Sequence, residues 1–265
     1  MSGRAPHSGA CAELPGVKLW FSDSGGDGAP VVLLHPNTGT VAVWEPQIGA
    51  LAQAGYRAIA FDRRGWGKSV PVSAGPQPDS VAGDLDALVD HLKLGPFHLL
   101  GVAGGGFVAV DYAAWRPEKL RSLILGGTTG GFEDKEISDF IARIAIPDIR
   151  KQSAHYRELG ASYRGSNPEG TKRWIEIDEH ARQSATAFQP PLRTPNTLAK
   201  IATIPTPTLI IAADADLLAP PALMRLWATH LKNHEWATIP EAGHAMAWEQ
   251  PGTFNDKVID FLRRH

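Results

Sequence analysis

Between two segments with opposite secondary-structure preferences the chain carries a run of small residues, Gly101-Val102-Ala103-Gly104-Gly105-Gly106. The residues before it, Pro96-Phe97-His98-Leu99-Leu100, read as a buried strand. Those after it, through Phe107-Val108-Ala109-Val110-Asp111-Tyr112-Ala113-Ala114-Trp115, read as a helix stopped by Pro117. Glycines let a strand turn sharply into a helix without collision and hold the central residue up at the sheet edge, the arrangement of a nucleophile elbow. Position 103 of such a turn calls for a nucleophilic serine, and this chain has Ala103 there. Two other readings exist. One is a glycine-rich junction without chemistry. The other is a dinucleotide fingerprint, because Gly104 to Ala109 fits Gly-x-Gly-x-x-Ala; the acidic residue needed about 20 positions on is missing from Leu123-Ile124-Leu125-Gly126-Gly127.

Strands and helices alternate around this junction, which implies a mostly parallel sheet. Val17 to Ser22 alternates like a half-exposed strand, Asp23 to Gly28 turns the chain, and Val31 to Leu34 is a buried strand ending at His35. The pair is expected to form an antiparallel hairpin. A helix around Trp44 to Ala54, a strand Arg57 to Phe61, and a helix capped by Ser80 and running to Leu92 lead to the junction. Further strands are expected at Leu120 to Leu125, Thr208 to Ala212 and Trp236 to Ile239, with a closing helix near Gly252 to Leu262. Between the strands near Gly127 and Pro207 the chain turns polar, charged and helix-prone. Ile137, Phe140, Ile141 and Ile144 have helical spacing, Arg173 to Gln183 is helix-like, and Pro190, Pro191 and Pro195 break the chain. This stretch reads as an inserted cap over 133–200, with 1–132 and 201–265 forming the core. Its aromatics, Phe132, Phe140, Tyr156, Tyr163, Trp174 and Phe188, are expected mostly to pack together, with a minority facing a substrate.

A length of 265 residues with 43% hydrophobic content can fill a sizeable core. The net charge of −2, without a basic block, leaves a nucleic-acid partner no electrostatic footprint. A lone Cys11 excludes an internal disulfide and a cysteine-based zinc cluster. No leader-like run opens the chain and no stretch of about 18 apolar residues occurs, so a soluble cytoplasmic protein without membrane contact is expected. No His-Glu-x-x-His pattern, phosphate loop or complete Rossmann signature appears, so no metal and no organic cofactor are expected, and the partner is a small-molecule substrate. Nothing in the sequence speaks to oligomeric state.

A serine-type hydrolase needs a base beside the nucleophile and an acid that orients the base. The strand from Thr208 runs into Asp214-Ala215-Asp216 and Pro220, and the strand from Trp236 runs into Glu241-Ala242-Gly243-His244. The chain resembles α/β-hydrolase-fold proteins over nearly its whole length. The order elbow, acid, histidine is theirs; Asp62-Arg63-Arg64-Gly65-Trp66-Gly67-Lys68-Ser69 is similar to their Asp-x-Arg-Gly-x-Gly-x-Ser loop, and Gly243-His244 with Glu249-Gln250-Pro251 to their histidine loop. The resemblance implies an eight-stranded, mostly parallel sheet with helices on both faces and an inserted helical cap. It also implies Asp216 as the acid, four residues before Pro220, with Asp214 as the alternative. A loop aspartate that caps the helix beginning near Pro220 is the plainer reading of Asp216. His244 is expected to be the base, and His35 to be structural. His35-Pro36-Asn37-Thr38-Gly39 occupies the place of the family's oxyanion loop. Proline stands there where the family has glycine, so the backbone N–H groups of Asn37 and Gly104 are the expected oxyanion donors.

An alanine methyl cannot attack a carbonyl. Ala103 marks either an engineered Ser-to-Ala variant or a natural branch without the serine. Three functions follow: hydrolysis of a small ester or lactone, a serine-free general-base enzyme such as a C–C hydrolase or lyase using His244 and Asp216, and a non-catalytic ligand-binding protein.

Overall fold

Five strands in this chain are buried along all or nearly all of their length, which requires a parallel sheet covered on both faces. The computed structural model describes residues 8–72, 75, 77, 79–184 and 189–265. Its strands are β1 (Ser8–Leu14), β2 (Val17–Asp23), β3 (Pro30–Leu34), β4 (Arg57–Phe61), β5 (Val70–Pro71), β6 (Phe97–Val102), β7 (Leu120–Gly126), β8 (Thr208–Ala213) and β9 (His234–Ile239). Eight stand in the order β1-β2-β4-β3-β6-β7-β8-β9, and the two-residue β5 pairs beside β2. Every pairing from β4 through β9 is parallel.

The helices are α1 (Glu45–Gln53), α2 (Val81–His91), α3 (Gly104–Trp115), α4 (Lys135–Ile144), α5 (Ala154–Glu158), α6 (Ala161–Ser166), α7 (Pro168–Glu179), α8 (Leu198–Ile201), α9 (Pro221–Ala228), α10 (Met246–Glu249) and α11 (Pro251–Leu262). Successive strand residues point to opposite faces and so feed two cores. Val32, Leu34 and Leu99 pack with Leu85, Tyr112 and Trp227 from α2, α3 and α9. Val31, Leu33 and Leu100 pack with Ile48, Phe254 and Phe261 from α1 and α11. The α/β expectation holds, and Ser80 caps α2 by accepting from Gly83 N at 3.0 Å.

The expected hairpin is wrong. β2 pairs antiparallel with β1 and β4, and never with β3. β3 is buried from Val31 to Leu34 and takes parallel neighbours on both sides, so the Asp23 to Gly28 loop carries the chain past it. The true hairpin partner, β1, contains Gly9, Ala10 and Ala12 where a strand signal would need β-branched or aromatic residues. The helix expected over Arg173 to Gln183 starts earlier and ends at Glu179. Phe132 packs against Trp227, while Phe188 lies outside the described residues.

The Asp62 to Ser69 motif is a brace. Asp62 accepts from Val41 N at 2.7 Å and Lys68 N at 2.8 Å, Trp66 Nε1 donates to Asn37 O at 2.8 Å, and Arg63 N donates to His35 Nε2 at 3.0 Å. Arg64 forms a buried two-point pair with Asp84 at 2.8 and 3.1 Å and donates to the carbonyls of Pro15 and Gly16, fastening the β1–β2 turn to α2. Together these bonds hold the His35 to Thr40 loop against the sheet edge.

Two glycines let α3 lie on the sheet. A Cβ on Gly101 would sit 2.6 Å from Gly105 O, and one on Gly105 would strike the Leu34 carbonyl. Neither obstacle is a side chain that can turn aside. Gly105→Ala should destabilise the fold by about 3 kcal/mol, the upper part of the overpacking range, and urea unfolding should show a lower midpoint at unchanged slope.

Candidate active site

The carboxyl edge of a parallel sheet is where loops from several strands converge on a ligand. Ala103, between β6 and α3, has φ 47° and ψ −120°, a left-handed conformation that non-glycine residues seldom adopt and that costs on the order of 1–3 kcal/mol. The surroundings impose it. Ala103 N donates to Gly126 O at 3.0 Å, and Ala103 O accepts from Gly106 N at 3.0 Å and Thr128 Oγ1 at 2.7 Å. The turn therefore presents the alanine methyl to the cavity floor.

The loops after β8 and β9 bring the predicted acid and base together. His244 Nδ1 donates to Asp216 Oδ2 at 2.8 Å. The other oxygen of Asp216 accepts from Leu218 N at 2.7 Å and Ala219 N at 2.9 Å. The same carboxylate thus orients the ring and closes the turn ahead of α9, so the two readings of Asp216 coexist. Asp214 accepts instead from Glu241 N at 2.6 Å. His244 and Ala103 line the same two cavities.

On the opposite side, Asn37 and Gly104 stand together. A Cβ on Gly104 would meet the Asn37 side-chain amide as it stands, so the amide packs directly over the glycine. Neither backbone N–H has a hydrogen-bond partner among the described residues, and Gly104 opens α3, where the helix dipole favours negative charge. His35 is buried; its Nε2 accepts from Arg63 N while Nδ1 lies 2.7 Å from Pro36 O. Burial and the Arg63 charge hold its pKa well below 6.5, so it stays neutral.

The larger cavity, about 560 Å³, extends from Ala103 to an apolar wall of Ile141, Ile144, Ile146, Ile149 and Leu217, with Arg150 and Arg157 among its lining residues. Isoleucines of the insert form this wall, and of the insert's aromatics Trp174 lines the smaller cavity. The second cavity, about 30 Å³, lies behind Ala103 and His244 against Trp44, Trp174 and Glu158. No group of residues suited to a metal ion occurs among the described residues, and no helix there is long and apolar enough to cross a membrane.

Sequence reasoning gave no role to two carboxylates, Glu158 and the Glu249 of the histidine-loop motif. Glu158, at the end of α5, lines both cavities. Glu249 is buried and accepts from Gly243 N at 3.0 Å and Gly160 N at 3.0 Å, tying the histidine loop to the segment between α5 and α6. Burial alone would push the His244 pKa down; Asp216, and behind it Glu158 and Glu249, outweigh that and hold it up at about 9. The carboxylates thus favour the charged form of the ring. A base whose pKa is higher in the fold than in the unfolded chain stabilises fully below about 6.5 and loses that contribution as pH climbs through about 9. NMR titration should give the His244 ring a midpoint near 9, and Asp216→Asn should lower it.

A family model described as "Alpha/beta hydrolase family" matches residues 31–257. The chain is 30% identical over 247 residues to the proposed carbamate hydrolase RutD of Variovorax paradoxus, covering 90% of this chain and 93% of that protein. It is 28% identical to a 2-hydroxy-6-oxononadienedioate/2-hydroxy-6-oxononatrienedioate hydrolase of Burkholderia vietnamiensis, covering 94% and 92%. The malate-bound structure of a thermophilic esterase from Thermogutta terrifontis superposes with a TM-score of 0.81 at 25% identity, covering 98% of this chain and 99% of that one. With the sheet order, the elbow and the extent of these matches in agreement, the chain belongs to the α/β hydrolase family.

Proposed function

We propose that this chain hydrolyses a small carbonyl compound, an ester or lactone, bound between Ala103 and the isoleucine wall, with residues 133–200 acting as the lid. The observation that carries the reading is the His244–Asp216 pair at 2.8 Å facing an elbow flanked by two N–H groups without partners. Those of Asn37 and Gly104 hold the oxyanion that forms when the carbonyl carbon is attacked. His244, charged near neutral pH, delivers a proton to the departing oxygen, and Asp216 fixes its tautomer. The names of the three relatives described above, two hydrolases and an esterase, support hydrolysis.

Because alanine cannot be acylated, the attacking group is water and no covalent intermediate forms. The Ala103 site accommodates this: the strained backbone that would aim a hydroxyl is intact, and the donors aimed at the oxyanion are intact with it. Removing a nucleophile from such a site still leaves about 10³ to 10⁴-fold acceleration over water from these remaining parts.

A panel of aryl esters and lactones should reveal turnover by the chain as written, with no mass increase of the protein on substrate addition. His244→Ala should lower kcat about 10²-fold or more. Turnover untouched by that change would refute the acid role, and binding without turnover across the panel would make the chain a ligand-binding protein. Ala103→Ser should gain labelling by a fluorophosphonate, at a rate that rises as pH climbs through about 9 and the ring becomes neutral.

A further inference from the structure

A water that attacks a carbonyl must lose a proton, and a charged imidazole cannot take it. We infer that Glu158 is the group that accepts this proton, from a water held behind the Ala103 methyl. The inference rests on the hydrolase reading above and assigns the base that reading lacks.

Four observations converge on Glu158. Its side chain is buried, at 6% exposure for the residue, and it faces both cavities alongside Ala103 and His244. One oxygen, Oε2, accepts from Thr38 Oγ1 at 2.7 Å, next along the chain from Asn37, so the carboxylate is registered to the oxyanion loop. The other oxygen has no protein donor among the described residues, and no lysine or arginine pairs with either. Its backbone is tied to the histidine loop, Ala245 N donating to Glu158 O at 3.0 Å, and two residues on Gly160 N donates to Glu249.

The small cavity supplies the water site. About 30 Å³ exceeds the room one water needs. A buried water also needs two or more polar partners. Glu158 and His244 line the space, and so does Trp44, whose fully buried Nε1–H has no partner.

The step balances. The water oxygen bonds to the carbonyl carbon as one of its O–H bonds breaks, and that proton goes to Glu158. Asn37 and Gly104 hold the resulting oxyanion. Its collapse breaks the bond to the leaving oxygen, which takes the proton of the His244 imidazolium. Proton transfer from the Glu158 acid to the now neutral imidazole restores both charges, and one water has been consumed for one bond cleaved.

This route and a histidine-base route respond oppositely to pH. The groups around His244 are Asp216, Glu158 and Glu249; near Glu158 stand His244, Asp178 on α7 and its chain neighbour Arg157. Water activation by Glu158 requires the charged ring, so kcat falls as pH climbs through about 9. A histidine base requires the neutral ring, so kcat would rise there.

The test takes the best substrate of the panel. Glu158→Gln keeps the shape and the Thr38 hydrogen bond; it should lower kcat about 10²-fold or more with KM within about threefold and the thermal midpoint retained. Glu158→Ala should be equally slow and should regain activity on addition of formate, which a merely structural role would not produce. Glu158→Gln retaining more than about a third of the native kcat, a native kcat that rises through pH 9, or an inactive Glu158→Ala that formate does not rescue would each overturn the assignment. Those outcomes leave the hydrolase reading standing as long as His244→Ala is inactive. Failure of the native chain to hydrolyse any panel member refutes the hydrolase reading itself, and the assignment of Glu158 falls with it.

Discussion

A single backbone turn of unfavourable handedness sets the position of every group around it. Ala103 lies at positive φ because β6 is buried on both faces, α3 must begin at once, and Gly101 and Gly105 let the helix descend onto strand and sheet. Glycine would adopt this backbone at lower cost. The turn is held by bonds from Gly126, Thr128 and Gly106, all within the framework. With a methyl at this position the turn itself is in place, and the amide of Gly104 begins the helix, where the dipole favours negative charge.

The chemistry around that turn is governed by an imbalance of charge. One imidazole stands among Asp216, Glu158 and Glu249, and the three roles are distinct because the hydrogen bonds differ. Asp216 spends one oxygen on the ring and the other on two backbone amides. Glu249 is saturated by amides from two loops. Glu158 alone is left with an oxygen that no protein donor fills. In low-dielectric surroundings such differences in pairing decide which groups stay charged.

The fold was legible because its signals are local. Unbroken apolar runs at β3, β6, β7 and β8, glycines at the elbow and Ser80 at a helix start each report on neighbours a few residues away. The hairpin error arose where that logic stops: which strand β2 pairs with depends on β3 taking the centre of the sheet, a competition that no short window displays. For the site, Asp216 and His244 could be nominated because they follow strands in a fixed chain order. Asn37 and Gly104 are adjacent in space through one contact, a side-chain amide over a missing Cβ. Glu158 carried no signal at all. It is the last residue of the short helix α5 in a polar stretch, 86 residues before His244 by chain numbering, and only the folded chain joins them.

Glu249 also couples two parts of the molecule that would otherwise move separately. Its amide bonds to Gly160 and Gly243, together with the close approach of those two glycines and the bond from Ala245 to Glu158, rivet the middle of the insert to the histidine loop. Among the described residues no hydrogen bond ties α4, whose Ile141 and Ile144 belong to the opposite wall, to the histidine loop. The two flanks of the site are consequently fastened differently: the one that bears Glu158 is bonded to the histidine loop, whereas α4 is fixed through its cap residue Asp134 to Leu198 N and by packing on α9.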